Sequence, residues 1–402
     1  MFPALVQARR NIMVAVVAAV ATALVMAGWW HPTPAAPGAS ATQGLANASS
    51  QVLNYTPTTG ATFNDPLGTW AQQRRIFTKI NKSIDATPAG ATIQFAVYSF
   101  SEGRTANKLI AAHDRGVHVQ LIFDDHHVYP AEAELRNQFG GNTNHKSFVL
   151  MCHHSCRSTK GNMHDKLFLF SQSGQASNVV MLGSDNITRH NAIAQWSDMY
   201  TVAGDAALYF TYAGVFNQMK AQVPLAQPFI TASVDGYTPT IYPNPGATEA
   251  TDPMAQVLEG ITCTGVPTGY GNRNGDTVIR ISQHAWNGDR GRYLAQLVAG
   301  LQEQGCDIEV IYGIGIGRAV KATLTRAGVP MSGGHHRGVR THQKLLMVNG
   351  LSNGVPTQSV WTGSNNWSSR ALNRDDVMLQ VTGWNAAYGA YISNFDYMWV
   401  HG

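Results

Sequence analysis

One short pattern occurs twice in this 402-residue chain, and the duplication constrains the fold more than any other feature. Met163-His164-Asp165-Lys166 runs into the apolar tetrad Leu167 to Phe170 and reaches Gly183-Ser184-Asp185-Asn186. Thr341-His342-Gln343-Lys344 runs into Leu345 to Val348 and reaches Gly363-Ser364-Asn365-Asn366. From His to Gly the interval is 19 residues in the first copy and 21 in the second, so the copies differ by two residues of loop. Such a chain is expected to fold as two related halves.

A His and a Lys two residues apart fit a β-strand, because period two puts imidazole and ammonium on one face. The apolar run that follows is then buried. On the next strand, Gly183 or Gly363 would permit close backbone approach, and the Ser hydroxyl and Asn amide would donate to anionic oxygens. Two such units face to face place two imidazoles, two ammoniums and two amides around one anion. That set suits phosphoryl transfer without a metal or other cofactor. Charge-assisted donors stabilise the transition state while one His attacks and the other protonates the leaving oxygen. A single His-x-Lys occurs by chance in many strands. Here each copy brings its own Gly-Ser-x-Asn and a trailing Asp.

These residues resemble the phospholipase D superfamily, whose members carry His-x-Lys-x4-Asp followed by Gly-Ser/Gly-x-Asn twice. The resemblance covers roughly residues 75 to 400. It implies an α/β fold of two pseudo-symmetric mixed-sheet halves with flanking helices, sharing one central site. It also implies that His164 is the nucleophile forming a phosphohistidine, and that His342 is the acid and then the base that activates water. Lys166, Lys344, Asn186 and Asn366 would bind the phosphate, with Ser184 and Ser364 beside them. The choice of His164 over His342 rests on the resemblance alone.

One departure is plain: the family's motif Asp falls at Ser171 and at Asn349. Both Ser171 and Asn349-Gly350 are turn formers, so the change is expected to alter turn geometry or outer hydrogen bonding rather than phosphate chemistry. A catalytic His still needs an acid to fix its tautomer. Asp198 and Asp376 trail the two Gly-Ser-x-Asn segments by 12 and 10 residues, where similar proteins keep such an acid.

Hydrophobic residues make up 44% of the chain and charged ones 13%, which suits a buried core rather than a disordered protein. Arg9-Arg10 and the apolar run from Ile12 to about Gly28 read as a secretory signal peptide, cut after Ala27, Ala36 or Ala41. An uncleaved anchor is the alternative. Losing the first 40 residues takes the formal charge from +4 to +2, and no basic stripe of a nucleic-acid binder is visible. In an exported chain the four cysteines suggest two disulfides, Cys152 with Cys156 and Cys263 with Cys306, each within one half. Zinc at Cys152-His153-His154-x-Cys156 is the alternative, although the spacing is not that of a finger.

The halves match outside the motifs as well. Strand, helix and strand are expected at Ala91 to Tyr98, Arg104 to Arg115 and Val117 to Phe123, and again at Asp276 to Ser282, Asp289 to Gln304 and Asp307 to Tyr312. The expected organisation is a signal peptide and leader (1–40), a flexible leader (41–65), a first half (66–225), a linker (226–253) in the Pro-rich stretch, and a second half (254–402). Asp124-Asp125-His126-His127 ends a strand and is expected either at the substrate entrance or in a solvated loop; His335-His336 reads the same way. Trp286, Trp361, Trp367 and Trp384 could meet a lipid surface, but Trp361 and Trp367 flank Gly-Ser-x-Asn and are expected in the core. The reading favours a secreted, monomeric phosphodiesterase acting on phospholipid at a membrane surface. A secreted nuclease and a non-catalytic phosphate-binding protein are the alternatives.

Overall fold

A computed structural model describes residues 54–333, 338–383 and 385–402. The expected signal peptide, most of the leader, His335-His336 and Trp384 lie outside these residues. The described residues fall in one compact unit. The fold is mixed α/β, built on two large sheets.

The first sheet has seven strands, in the order Gly60–Phe63, Asp198–Val202, Ala176–Gly183, Lys166–Ser173, Thr92–Val97, His118–Asp124 and Phe148–Cys152. The second repeats this order through Val377–Thr382, Val355–Gly363, Lys344–Ser352, Val278–Asn287, Asp307–Ile316 and Met331–Ser332. In both, the strand carrying the motif Lys lies antiparallel to the first strand of a parallel βαβ unit, whose helix is Gly103–Asp114 or Gly288–Glu303. The motif strand sits in mid-sheet and is buried on both faces, which explains its unbroken apolar run. Leu167 and Leu169 join Leu345 and Met347 in one core that spans both halves, while Phe168 and Phe170 pack into a second core and Leu346 and Val348 into a third.

Two expectations change. Ser171 and Asn349 do not form turns, because the strands run on to Ser173 and Ser352. The second hairpin turns later, at Asn353-Gly354, where both residues have positive φ. Each substituted side chain instead accepts a backbone N–H: Ser171 Oγ from Thr92 at 2.8 Å, and Asn349 Oδ1 from Gly271 at 3.1 Å. The outer hydrogen bond that a carboxylate could accept is therefore kept by neutral oxygens. The Pro-rich stretch is also more than a connection, since Tyr237–Ile241 pairs with Val377–Thr382 inside the second sheet. Trp286, Trp361 and Trp367 are all buried, so none of them faces a lipid surface.

Candidate active site

Each motif His is held by the opposite half. The His164 N–H donates to the carbonyl of Asp375 and the His342 N–H to that of Trp196, both at 2.8 Å. Arg340–Thr341 runs parallel to Gln195–Trp196 as a two-stranded bridge between the halves, and Met163 makes the matching bridge to Asp375. These crossings bring both motifs to one place. His164, Lys166, His342 and Lys344 are all buried there, and the ammoniums of Lys166 and Lys344 depress the proton affinity of both imidazoles.

The His164 Nδ1 lies 2.8 Å from Asp376 Oδ1. The His342 Nδ1 lies 2.8 Å from the carbonyl oxygen of Ser184. Both partners accept a hydrogen bond, so both imidazoles carry a proton on Nδ1 and leave Nε2 with its lone pair. Burial, and then the neighbouring cations, keep both rings well below the usual histidine range, so they are neutral at neutral pH. Burial also brings Lys166 down to about 7 and Lys344 well below its ordinary value. Asp376 is pushed up to about 6 by burial, against the pull of Lys166. Each ammonium donates to the backbone carbonyl of its own His, at His164 or His342.

The two trailing acids are not equivalent. Strand register pairs Gly183 with Met199 and Gly363 with Met378, so Asp376 corresponds to Ser197, and Asp198 to Val377. Asp198 therefore holds no imidazole. It accepts from Ser184 Oγ at 2.6 Å, from Tyr391 at 2.9 Å and from Thr362. The one-residue offset is the physical reason that, of the two motif imidazoles, His164 and not His342 has a carboxylate partner among the described residues. It separates two motifs that look alike in sequence.

The Gly-Ser-x-Asn segments act differently from expectation. A Cβ on Gly183 would sit 2.2 Å from Asp198 O, and one on Gly363 2.1 Å from Val377 O. The close approach that needs glycine is thus to the adjacent strand. The hydroxyls of Ser184 and Ser364 hold Asp198 and Asp376 rather than pointing free toward a ligand. Asn186 and Asn366 are buried beside them. Asn366 Oδ1 accepts the Ala285 N–H at 3.2 Å, and Asn186 Oδ1 lies buried with no hydrogen-bond partner among the described residues.

Further residues belong to the site. Tyr98 lies 4.8 Å from His164, ring to ring, and His284 lies 4.5 Å from His342. They occupy matching places, since Tyr98 N–H donates to Asp165 and His284 N–H to Gln343. His126 stacks on Tyr98 at 4.1 Å and is held by buried Asp124 at 2.7 Å, which places the Asp124–His127 turn at the wall of the site. Arg374 is close enough to act electrostatically on His164, Lys166 and Asp376. Aligning the two halves would have exposed Tyr98 and His284, but nothing local marks Arg374.

The cysteines pair as expected, Cys152 with Cys156 and Cys263 with Cys306. The first disulfide removes the thiolates that zinc would need. Its loop grips Asp375, whose Oδ2 accepts the Cys156 N–H at 2.6 Å and the Ser155 hydroxyl at 2.9 Å.

Residues 83–220 match the family described as cardiolipin synthase, PLD-like domain. The sequence has no significant match among curated proteins. Among solved structures, phosphatidylserine synthase from Haemophilus influenzae Rd KW20 is similar with a TM-score of 0.56 and 13% identity, over 88% of this chain and 90% of that one. Polyphosphate kinase from Porphyromonas gingivalis is similar with a TM-score of 0.50 and 11% identity over 84% of this chain. This chain spans about half of that kinase, 49% of its length. The phospholipase D family member Nuc from Salmonella typhimurium aligns with 41% of this chain at 18% identity and a TM-score of 0.32. The resemblance carried by the motifs thus extends to the fold: residues 83–220 match a PLD-like domain, and the chain has a phospholipase D-like fold of two similar halves.

Proposed function

We propose that the protein is a secreted phosphodiesterase that hydrolyses the distal phosphodiester of a phospholipid through a phosphohistidine. The observation that carries this reading is the 2.8 Å contact between His164 Nδ1 and Asp376 Oδ1, beside two buried lysines. His164 Nε2 attacks phosphorus, the P–O bond to the head-group alcohol breaks, and His342 gives that oxygen a proton. Before substrate binds, burial and the nearby lysines keep His342 neutral. The negative charge of a bound phosphodiester offsets the two ammoniums and favours the protonated ring that the first step needs. In the second step water attacks phosphorus, His342 takes its proton, and the P–Nε2 bond breaks to leave the phosphate on the lipid. Asp376 holds the Nδ1 proton and stabilises the positive ring of the intermediate. Lys166, Lys344, Asn186 and Asn366 bind the phosphate oxygens.

Two disulfides are compatible with export, and among the described residues no helix is long and apolar enough to cross a membrane. Both halves of the site lie on one chain, so a monomer suffices. A second reading, a nuclease or other phosphodiesterase, is favoured by the cationic residues Lys160, Arg370 and Arg374 at the rim of a neighbouring groove. Release of head group from vesicles in the presence of chelator, lost in His164→Ala, is the expected result. Unchanged release by that variant would remove the mechanism. Cleavage of plasmid DNA without lipid turnover would favour the second reading, and binding of anionic vesicles with no turnover a phosphate-binding protein.

A further inference from the structure

A groove of about 640 Å³ opens beside the nucleophile, between the loop before the first motif and the segment that follows Gly-Ser-x-Asn in the second half. Its lining includes Tyr98, His126, Lys160, Asn162, Arg370 and Arg374. Tyr98 joins it to the site: its ring lies 4.8 Å from His164, and Lys166 Nζ sits 5.1 Å from its centroid. Gly161 lets the two segments meet, because a Cβ there would sit 1.8 Å from Asn373 O. The Asp375 N–H donates to Asn162 O and closes the same seam.

The charge of this groove is one-sided. Among the described residues, three cations line it and no carboxylate does. None of the three makes an ion pair among the described residues. Two buried acids lie beneath it: Asp124 already accepts from the His126 ring and from the Met163 N–H at 2.9 Å, and Asp376, which Arg374 reaches electrostatically, already accepts from His164 and Ser364. Cations without an ion-pair partner around a concavity raise the local concentration of anions, and guanidinium forks match phosphate oxygens in pairs. The lining holds no aliphatic side chain, so it suits a polar head group and not an acyl chain.

From this placement we infer that the groove is a second anion subsite, which takes a further phosphate on the head group while the scissile phosphate sits between His164 and His342. The preferred substrate class is then a phospholipid whose head group carries a second phosphate. This rests on the proposed phosphodiesterase activity. The test therefore has a binding arm that does not depend on turnover.

The binding arm is calorimetric titration of the full chain with glycerol 1,3-bisphosphate and with glycerol 1-phosphate. The bisphosphate is expected to bind at least about tenfold more tightly, and Arg370→Gln and Lys160→Gln, both exposed positions, are expected to shrink that ratio several-fold. No preference in the wild-type protein, or a preference that both variants keep, overturns the subsite. The turnover arm compares vesicles of phosphatidylcholine with vesicles containing cardiolipin. A kcat/KM ratio favouring cardiolipin, reduced by Arg370→Gln, supports the substrate class. Equal turnover of both lipids overturns it, as does Arg370-dependent cleavage of an oligonucleotide with no lipid turnover. Loss of all turnover with the bisphosphate preference intact removes the enzyme reading and leaves the subsite standing.

Discussion

Asp376 and His164 are 212 residues apart in sequence, yet their side chains meet at 2.8 Å between the two halves. His342, the partner imidazole, is held at the same 2.8 Å by the neutral carbonyl of Ser184. In the proposed mechanism this difference suits one ring to carry positive charge through an intermediate, and the other to gain and lose a proton.

Replacing Asp376 with Asn keeps the shape but removes the charge behind His164. By analogy with triad acids, turnover is expected to fall by about a thousandfold or more. Asp198→Asn is expected to cost far less turnover, because the Asp198 carboxylate accepts from the hydroxyls of Ser184, Thr362 and Tyr391 and from no imidazole among the described residues. Single-turnover rates for the two variants check this, and equal losses would refute the asymmetry.

Stability should depend on pH in a direction set by the buried acids. Burial raises Asp376 to about 6 and Asp375 to about 7 from 3.8, and Asp165, Asp185 and Asp198 are raised as well. Above pH 3.8, and below the folded values, the folded chain binds more protons than the unfolded one, so stability falls as pH rises. His164, His342, His284, His118 and Lys344 are lowered and act in the opposite sense, but the five aspartates together with Glu132, raised to about 8 by burial, outnumber them. Above about pH 7 Lys166, joined by Lys344 and Lys79, opposes this slope, because there the unfolded chain holds the extra protons. Thermal melts of the ligand-free protein should show Tm falling from about pH 4 toward 7, and Asp375→Asn should flatten that limb.

Orthophosphate binding should take up protons near neutral pH. Burial holds Lys166 at about 7, and an anion beside it favours the charged form. Calorimetry in buffers of different ionisation enthalpy measures this uptake. Lys166→Met should reduce it and weaken binding by at least about tenfold.

The two disulfides should separate stability from activity. Cys263–Cys306 closes a span of 43 residues and Cys152–Cys156 one of 4, and loop entropy assigns about 4 and about 2 kcal/mol to them. Replacing the first of these pairs with alanine should lower Tm more. Replacing the second should reduce kcat more, because its loop holds Asp375, whose carbonyl positions His164. Melts and kcat on both double variants check the crossing.

Gly183→Ala or Gly363→Ala should destabilise the protein by at least about 2 kcal/mol. The new methyl would overlap a strand carbonyl that cannot yield without opening the sheet. Urea midpoints measure the effect.

Much of the fold was legible because it follows from local periodicity. The tetrads Leu167–Phe170 and Leu345–Val348 required a strand buried on both faces, and the paired strand–helix–strand patterns required two similar halves. The cysteine pairing followed from proximity within each half. The turn at Asn349-Gly350 was misplaced because turn propensity yields to continued pairing, which carries that strand to Ser352. Tyr98, His284 and Arg374 carried no local signal, since ordinary residues enter a site only through the loops around them.

By itself the sequence determined the reacting groups: two imidazoles and two ammoniums, each pair at a spacing that strand geometry turns toward one side. Only the tertiary structure decided which acid serves which imidazole. That choice depends on strand register where the halves cross, and a one-residue offset there sends Asp376 to His164 and turns Asp198 toward hydroxyls.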